Sequence, residues 1–135
     1  MSVVRETPKP LTPAEAVTLT DALGLPDLAG SQKQIDWAWT LRADLVNRLL
    51  DDPFQIFQPA TRAGDITLKR RINRISDAKR EAIRPLVAEA LKPLIVTECS
   101  DIDNAGWWIE NRACAAMISL EMSQEAIGIA GHLFD

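Results

Sequence analysis

Two tryptophan-bearing stretches constrain this chain more than any other feature. They are GSQKQIDWAWTLR, residues 30–42, and GWWIENR, residues 106–112, and between them they hold all four tryptophans. Large aromatic side chains stabilise a fold chiefly by leaving water. Two short stretches that each carry a pair are therefore expected to be helices packed on one another, with Trp39 and Trp108 buried and close across the pair.

The flanking residues supply helix signals. Thr12, Pro13 and Glu15 form a capping-box start for a helix that Gly24 can end in a left-handed conformation. Ser31 with Gln34 opens a second helix, expected to run to about Leu50 before Asp51, Asp52 and Pro53. At 100° per residue Ile35, Ala38, Trp39, Leu45, Val46, Leu49 and Leu50 fall on one stripe of that helix, and Arg42 lies in its middle. A guanidinium among apolar neighbours is costly unless it is paired or its head reaches water.

Residues 53–75 allow three readings, one of them an apolar cover formed by Phe54–Phe57 under a loop. Phe54, Ile56, Ile66 and Leu68 alternate with polar residues around a turn-prone 59–64, which suggests a short β-hairpin. Leu68, Ile72 and Ile75 fit the start of a helix instead. Ser76 can cap a helix over Asp77–Leu94, which Pro85 should kink or break and Pro93 should end, leaving LIVTEC, residues 94–99, as a connector or strand. A long apolar helix is expected from Asp103 or Asn104 through Met122, with Arg112 among its small residues, and Ser123 can cap a last short helix. The expected fold is mainly α, a compact multi-helix bundle with the hairpin as an alternative element. Residues 1–11 read as an extended arm and 12–135 as a single domain.

At 135 residues and 47% apolar content the chain can bury one core. It shows no charged start followed by an apolar run and no stretch near the roughly 18 apolar residues of a spanning helix, so a soluble, cytoplasmic protein with no membrane partner is expected. Cys99 and Cys114 are read as small buried thiols rather than a disulfide. His132 is the only histidine, and neither a metal site nor a cofactor is expected.

Two sets of residues invite a chemical reading. Lys33, Gln34, Arg42, Glu110, Asn111 and Arg112 could converge in a polar pocket between the tryptophan helices. The structural alternative is that Arg42 and Arg112 lay their stems on indoles and pair with Glu110 or another carboxylate. No nucleophile with an adjacent base and no pair of differently housed carboxylates is visible, so the chain is not expected to be an enzyme. The second set is a basic segment, residues 62–84, where eight cations face three carboxylates for a local charge of +5 in a chain whose net charge is −4. Lys69, Arg70, Arg71, Arg74, Lys79 and Arg80 are its candidate binding residues, for an acidic protein surface or for phosphates. No helix-turn-helix, zinc finger or aromatic stacking platform accompanies them.

The order of GSQKQIDWAWTLR and WWIENR resembles a group of small uncharacterised proteins of bacteriophages and other mobile elements. Their pattern is a Gly-Ser-x-Lys-Gln turn into a Trp-Ala helix, an arginine, and a distant Trp-Trp-Ile-Asp/Glu-Asn-Arg helix. The resemblance covers about a third of the chain, and position 32 is Gln where the pattern has an acidic residue. It implies a phage or mobile-element protein but carries no assigned activity to transfer; the expected function is that of a non-enzymatic binding protein that docks on a host or viral macromolecule. A host-defence antagonist such as an anti-CRISPR protein would have this size and composition, and a nucleic-acid-binding accessory protein is the alternative.

Overall fold

In the computed structural model, described for residues 11–58, 66–112 and 116–134, helices pack around one contiguous apolar core. The first, α1, spans Pro13–Leu23, and α2 spans Gln32–Asp51. A 3-10 segment, Pro53–Phe57, follows, and then α3 at Ile66–Asn73, α4 at Asp77–Ser100, α5 at Ala105–Glu110 and α6 at Ala116–Ala130. A second 3-10 turn, Gly131–Phe134, closes the described chain. The fold is thus mainly α. Residues 53–57 and 66–73 are helical, so the described part of the suggested hairpin is not strand, and its proposed turn lies outside the described residues.

Local signals set the helix starts. The Thr12 hydroxyl accepts from Glu15 N at 3.2 Å while Glu15 Oε1 accepts from Thr12 N at 3.1 Å. Gly24 then ends α1 at φ 68°, and Leu25 N donates back to Thr20 O at 3.1 Å, the backbone pattern of a left-handed cap. Ser31 and Gln34 make the same reciprocal pair at the start of α2. Ser76 caps α4 by accepting from Lys79 N at 3.1 Å, and Asn104 caps α5 by accepting from Gly106 N at 2.8 Å.

The two tryptophan helices pack on each other, and they begin at the same place. Ala29 N donates to Asp103 O at 2.7 Å and Ala105 N donates to Ala29 O at 2.9 Å, a parallel bridge just before each helix. Gly30 sits in this bridge at φ 148°. A side chain there would place Cβ 2.9 Å from Gln34 Oε1 and 3.2 Å from Ala105 Cβ. Only glycine suits both the backbone angle and the space.

Neither proline breaks α4, which runs through Pro85 and Pro93 and makes LIVTEC helical instead of a connector. Both prolines face solvent, as do Glu81 and Glu89, whose carbonyls lose their helical donors and can bond water instead. On the opposite side Ile83, Val87, Leu91, Leu94 and Ile95 are buried. Two interior prolines cost about 3 kcal/mol each, whereas each buried aliphatic contributes roughly 1.5–3 kcal/mol, so packing keeps the helix whole.

The expected long helix from Asn104 to Met122 is interrupted instead. After Glu110, Asn111 Nδ2 bonds the carbonyl of Trp107 at 2.9 Å and the Arg112 guanidinium bonds that of Ile109. Trp107 O also accepts from Asn111 N at 2.9 Å, so the helical bonding reaches Asn111, and it is there that the backbone, at φ −103° and ψ 14°, leaves the helix. When the described chain resumes it is α6, which continues through Ser123 rather than starting there. This helix buries Met122, Ala126 and Ala130 and packs against α4 and the Pro53–Phe57 turn. Phe134 seals that turn, edge-on to Phe57 at 5.0 Å between centroids and tilted on Phe54 at 5.9 Å.

The expected arm lies outside the described residues except for Leu11, whose N–H is held by Asp44 at 2.8 Å. Cys99 is buried and free, while Cys114 lies outside the described residues. Among the described residues no helix is long and apolar enough to cross a membrane.

Candidate functional site

The basic segment folds as α3, a short link, and the first turns of α4. Leu68, Ile72 and Ile75 recur at four and three residues and turn toward the core, Leu68 and Ile75 buried and Ile72 half-buried. That register sets Lys69, Arg70 and Arg74 outward. All three are exposed, and their side chains make no hydrogen bond or ion pair among the described residues.

The other cations of the segment are turned into the fold. The Arg71 guanidinium donates to the carbonyl of Gly131, tying α3 to the C-terminal turn. Arg80 lies over the ring of Phe54 at 5.1 Å and donates to Ile72 O at 3.3 Å. Arg84, nearly buried, also lies over Phe54, at 5.0 Å, and bridges Asp52 at 2.9 Å and Glu81 at 2.8 Å. Lys79 is half-buried, its backbone N–H serving the Ser76 cap. The six candidate residues therefore do not form one face: Lys69, Arg70 and Arg74 present charge to solvent, while Arg71 and Arg80 hold elements together.

Beside the outward cations lies a half-open cavity of about 270 Å³. Phe54 and Phe57 line it from the 3-10 turn, Ile72 and Asn73 from α3, and Gln58, Lys69 and Arg80 complete it. Sequence reasoning singled out the two cations, and Phe54–Phe57 as strand or apolar cover, but not the cavity between them. The available signal was PFQIF directly after a helix stop, an apolar cluster that alternation disguises as strand.

The second candidate set does not converge. Arg42 is fully buried, as its place on the wheel demanded, and donates to the carbonyl of Pro26 at 2.8 Å rather than to Glu110, which is exposed. Burial holds the Arg42 guanidinium below its ordinary pKa, partly opposed by Cys99 and Asp27. Burial likewise pushes the Cys99 thiol up to about 12, against the pull of Arg42, so the sulfur stays protonated and unreactive. Arg112 is exposed and stacks over Trp37 at 5.1 Å. Lys33 is exposed, and the Gln34 side chain is committed to its cap.

Trp108 is 4% exposed and donates from Nε1 to Ile102 O at 3.0 Å, whereas Trp39 is half-buried. The close indole pair among the described residues is Trp107 with Trp108, edge-on at 5.2 Å, and not Trp39 with Trp108. A small cavity of about 60 Å³ does open between the tryptophan helices, with Asp44, Arg48, Asn111 and Arg112 among its walls. It is far below the roughly 300–1,000 Å³ of sites that enclose a small molecule.

No family model, curated protein or solved structure matches the chain. Among the described residues no group of three or more His, Cys, Asp or Glu is gathered in a metal-holding arrangement. The surface and cavity at α3 are accordingly the site on which a functional reading rests.

Proposed function

We propose that this protein works by binding a macromolecule rather than by catalysis, and that the outward cations of α3 make the contact. The observation that supports this reading is the grouping of Lys69, Arg70 and Arg74, three exposed charges without a partner among the described residues, in a chain whose net charge is −4. A cation already bonded to a carbonyl or carboxylate has little left to offer a partner. These three keep their full electrostatic reach.

An acidic protein surface is the favoured partner, because an overall negative chain approaches a polyanion well through one small patch and poorly elsewhere. The likeness of the two tryptophan stretches to proteins of phages and mobile elements supports a host or viral target. Antagonism of a host defence, as by anti-CRISPR proteins, is a role of this kind.

The test compares wild type with a Lys69→Glu, Arg70→Glu, Arg74→Glu variant, each immobilised and exposed to bacterial lysate with and without nuclease. Nuclease-resistant capture of a protein that the variant loses supports the reading. Capture that nuclease abolishes favours a nucleic-acid-binding accessory protein instead, in which case affinity falls with salt by about one logarithmic slope unit per phosphate contacted. Identical capture by variant and wild type refutes both.

A further inference from the structure

The cavity beside α3 joins an apolar wall to a free charge, and that combination selects a chemistry. At about 270 Å³ it is smaller than the roughly 300–1,000 Å³ of sites that enclose a whole small molecule, and it suits one or two side chains of a partner. Half-buried Ile72 and the accessible edge of Phe54 supply the apolar surface, Phe57 being fully buried, while Lys69, exposed and without a partner among the described residues, brings an ammonium to the solvent side. Arg70 is the next residue of α3, and Arg74, four residues further on, directly follows the helix.

The walls argue against a nucleobase. Stacking requires an open aromatic face. The ring of Phe54 is engaged by two guanidiniums, at 5.1 and 5.0 Å, and Phe57 is fully buried with Phe134 edge-on to it. What is offered is a socket for an apolar side chain, flanked by cations that prefer carboxylates. We propose that the cavity receives an apolar side chain from an acidic segment of a protein partner, with neighbouring carboxylates of that segment on Lys69, Arg70 and Arg74. This rests on the reading of α3 as the docking surface and adds the anchor that gives it selectivity.

Fluorescein-labelled nonapeptides provide the test by anisotropy. One carries a central phenylalanine flanked by four glutamates on each side, a second has serine in place of the phenylalanine, and a third has phenylalanine flanked by serines. A labelled single-stranded nonanucleotide is the competing probe. The glutamate–phenylalanine peptide is expected to bind wild type at least about tenfold more tightly than either peptide control, the scale on which an apolar pocket discriminates. Lys69→Glu should abolish that advantage, and Asn73→Trp, which fills the cavity without changing charge, should reduce the phenylalanine peptide to the level of its serine counterpart. Circular dichroism checks that both variants keep their helices, and Lys69→Glu, at an exposed position, stands if Asn73→Trp misfolds.

Equal binding of the phenylalanine and serine acidic peptides, still lost on charge reversal of Lys69, Arg70 and Arg74, overturns the anchor while leaving the docking surface intact. Binding of neither peptide at millimolar concentration, or tighter binding of the oligonucleotide, overturns the proposal together with the protein-partner reading beneath it.

Discussion

Replacing Trp108 by alanine should be the most damaging of the four tryptophan truncations. The side chain is 4% exposed, donates to Ile102 O, and meets Trp107 edge-on at the seam between α2 and α5. Removing a large buried aromatic costs about 3–5 kcal/mol, cavity included. The lost edge contact of roughly 0.5–1.5 kcal/mol and hydrogen bond of about 1 kcal/mol lie largely inside that figure. For a domain of this size, with a stability of about 5–15 kcal/mol and roughly 3–5 °C per kcal/mol, the thermal midpoint should fall by about 10–20 °C. Trp108→Phe keeps most of the area and loses the donor, so a drop of about 1–2 kcal/mol is expected. Trp37→Ala supplies the internal control. That indole is 48% exposed and engages the cation of Arg112, a surface contact of about 0.5–1 kcal/mol. Circular dichroism melts of the three variants decide the matter. If Trp108→Ala shifts the midpoint no further than Trp37→Ala, the seam between the tryptophan helices is not where this fold stores its stability.

Gly30→Ala should destabilise by about 1–3 kcal/mol in urea unfolding, because φ 148° and a Cβ 2.9 Å from Gln34 Oε1 strain the bridge that starts both tryptophan helices. Cys99 should resist iodoacetamide in the native protein at pH 8.5 and react on unfolding, as mass spectrometry of its peptide would report, since burial raises its pKa to about 12. The same shift carries a sign: the folded state keeps the proton that the unfolded state releases, so stability should be unaffected by this group below about pH 8.5 and decline as pH rises from there toward 12. Cys99→Ser should flatten that decline.

The capping residues were legible in the sequence because a cap is a local arrangement. Thr12, Ser31, Ser76 and Asn104 each bond an amide two or three residues away, and no distant element needs to be known. The buried stripe of α2 was legible for the same reason, periodicity being enough to place Arg42 inside. What escaped depended on neighbours. Pro85 and Pro93 are helix breakers by propensity, and only the packed face of α4 overrides them. The stop after Glu110, where the Asn111 backbone leaves helical angles and the side chains of Asn111 and Arg112 fold back on Trp107 O and Ile109 O, is not encoded in helix periodicity. Arg71, Arg80 and Arg84 looked like their exposed neighbours in a linear charge count, yet Gly131, Phe54 and Asp52, all remote in sequence, draw them inward.

That inward turn changes what the basic segment can do. A local charge of +5 suggests an electrostatic contact sufficient in itself, but the charge left to solvent on α3 and the residue after it is that of Lys69, Arg70 and Arg74. Exposed ion pairs contribute about 0.2–1 kcal/mol each, so three of them supply at most about 3 kcal/mol, less than the roughly 4 kcal/mol of a millimolar complex. Charges of this number can steer a partner and set its orientation, while residence requires apolar burial. A single well-buried apolar side chain contributes roughly 1.5–3 kcal/mol, comparable with all three ion pairs together. The cavity beside Ile72 and Phe54 is where that contribution is available next to the exposed cations. Salt should therefore weaken the association rate of a true partner more than its dissociation rate, whereas filling the cavity should act on dissociation.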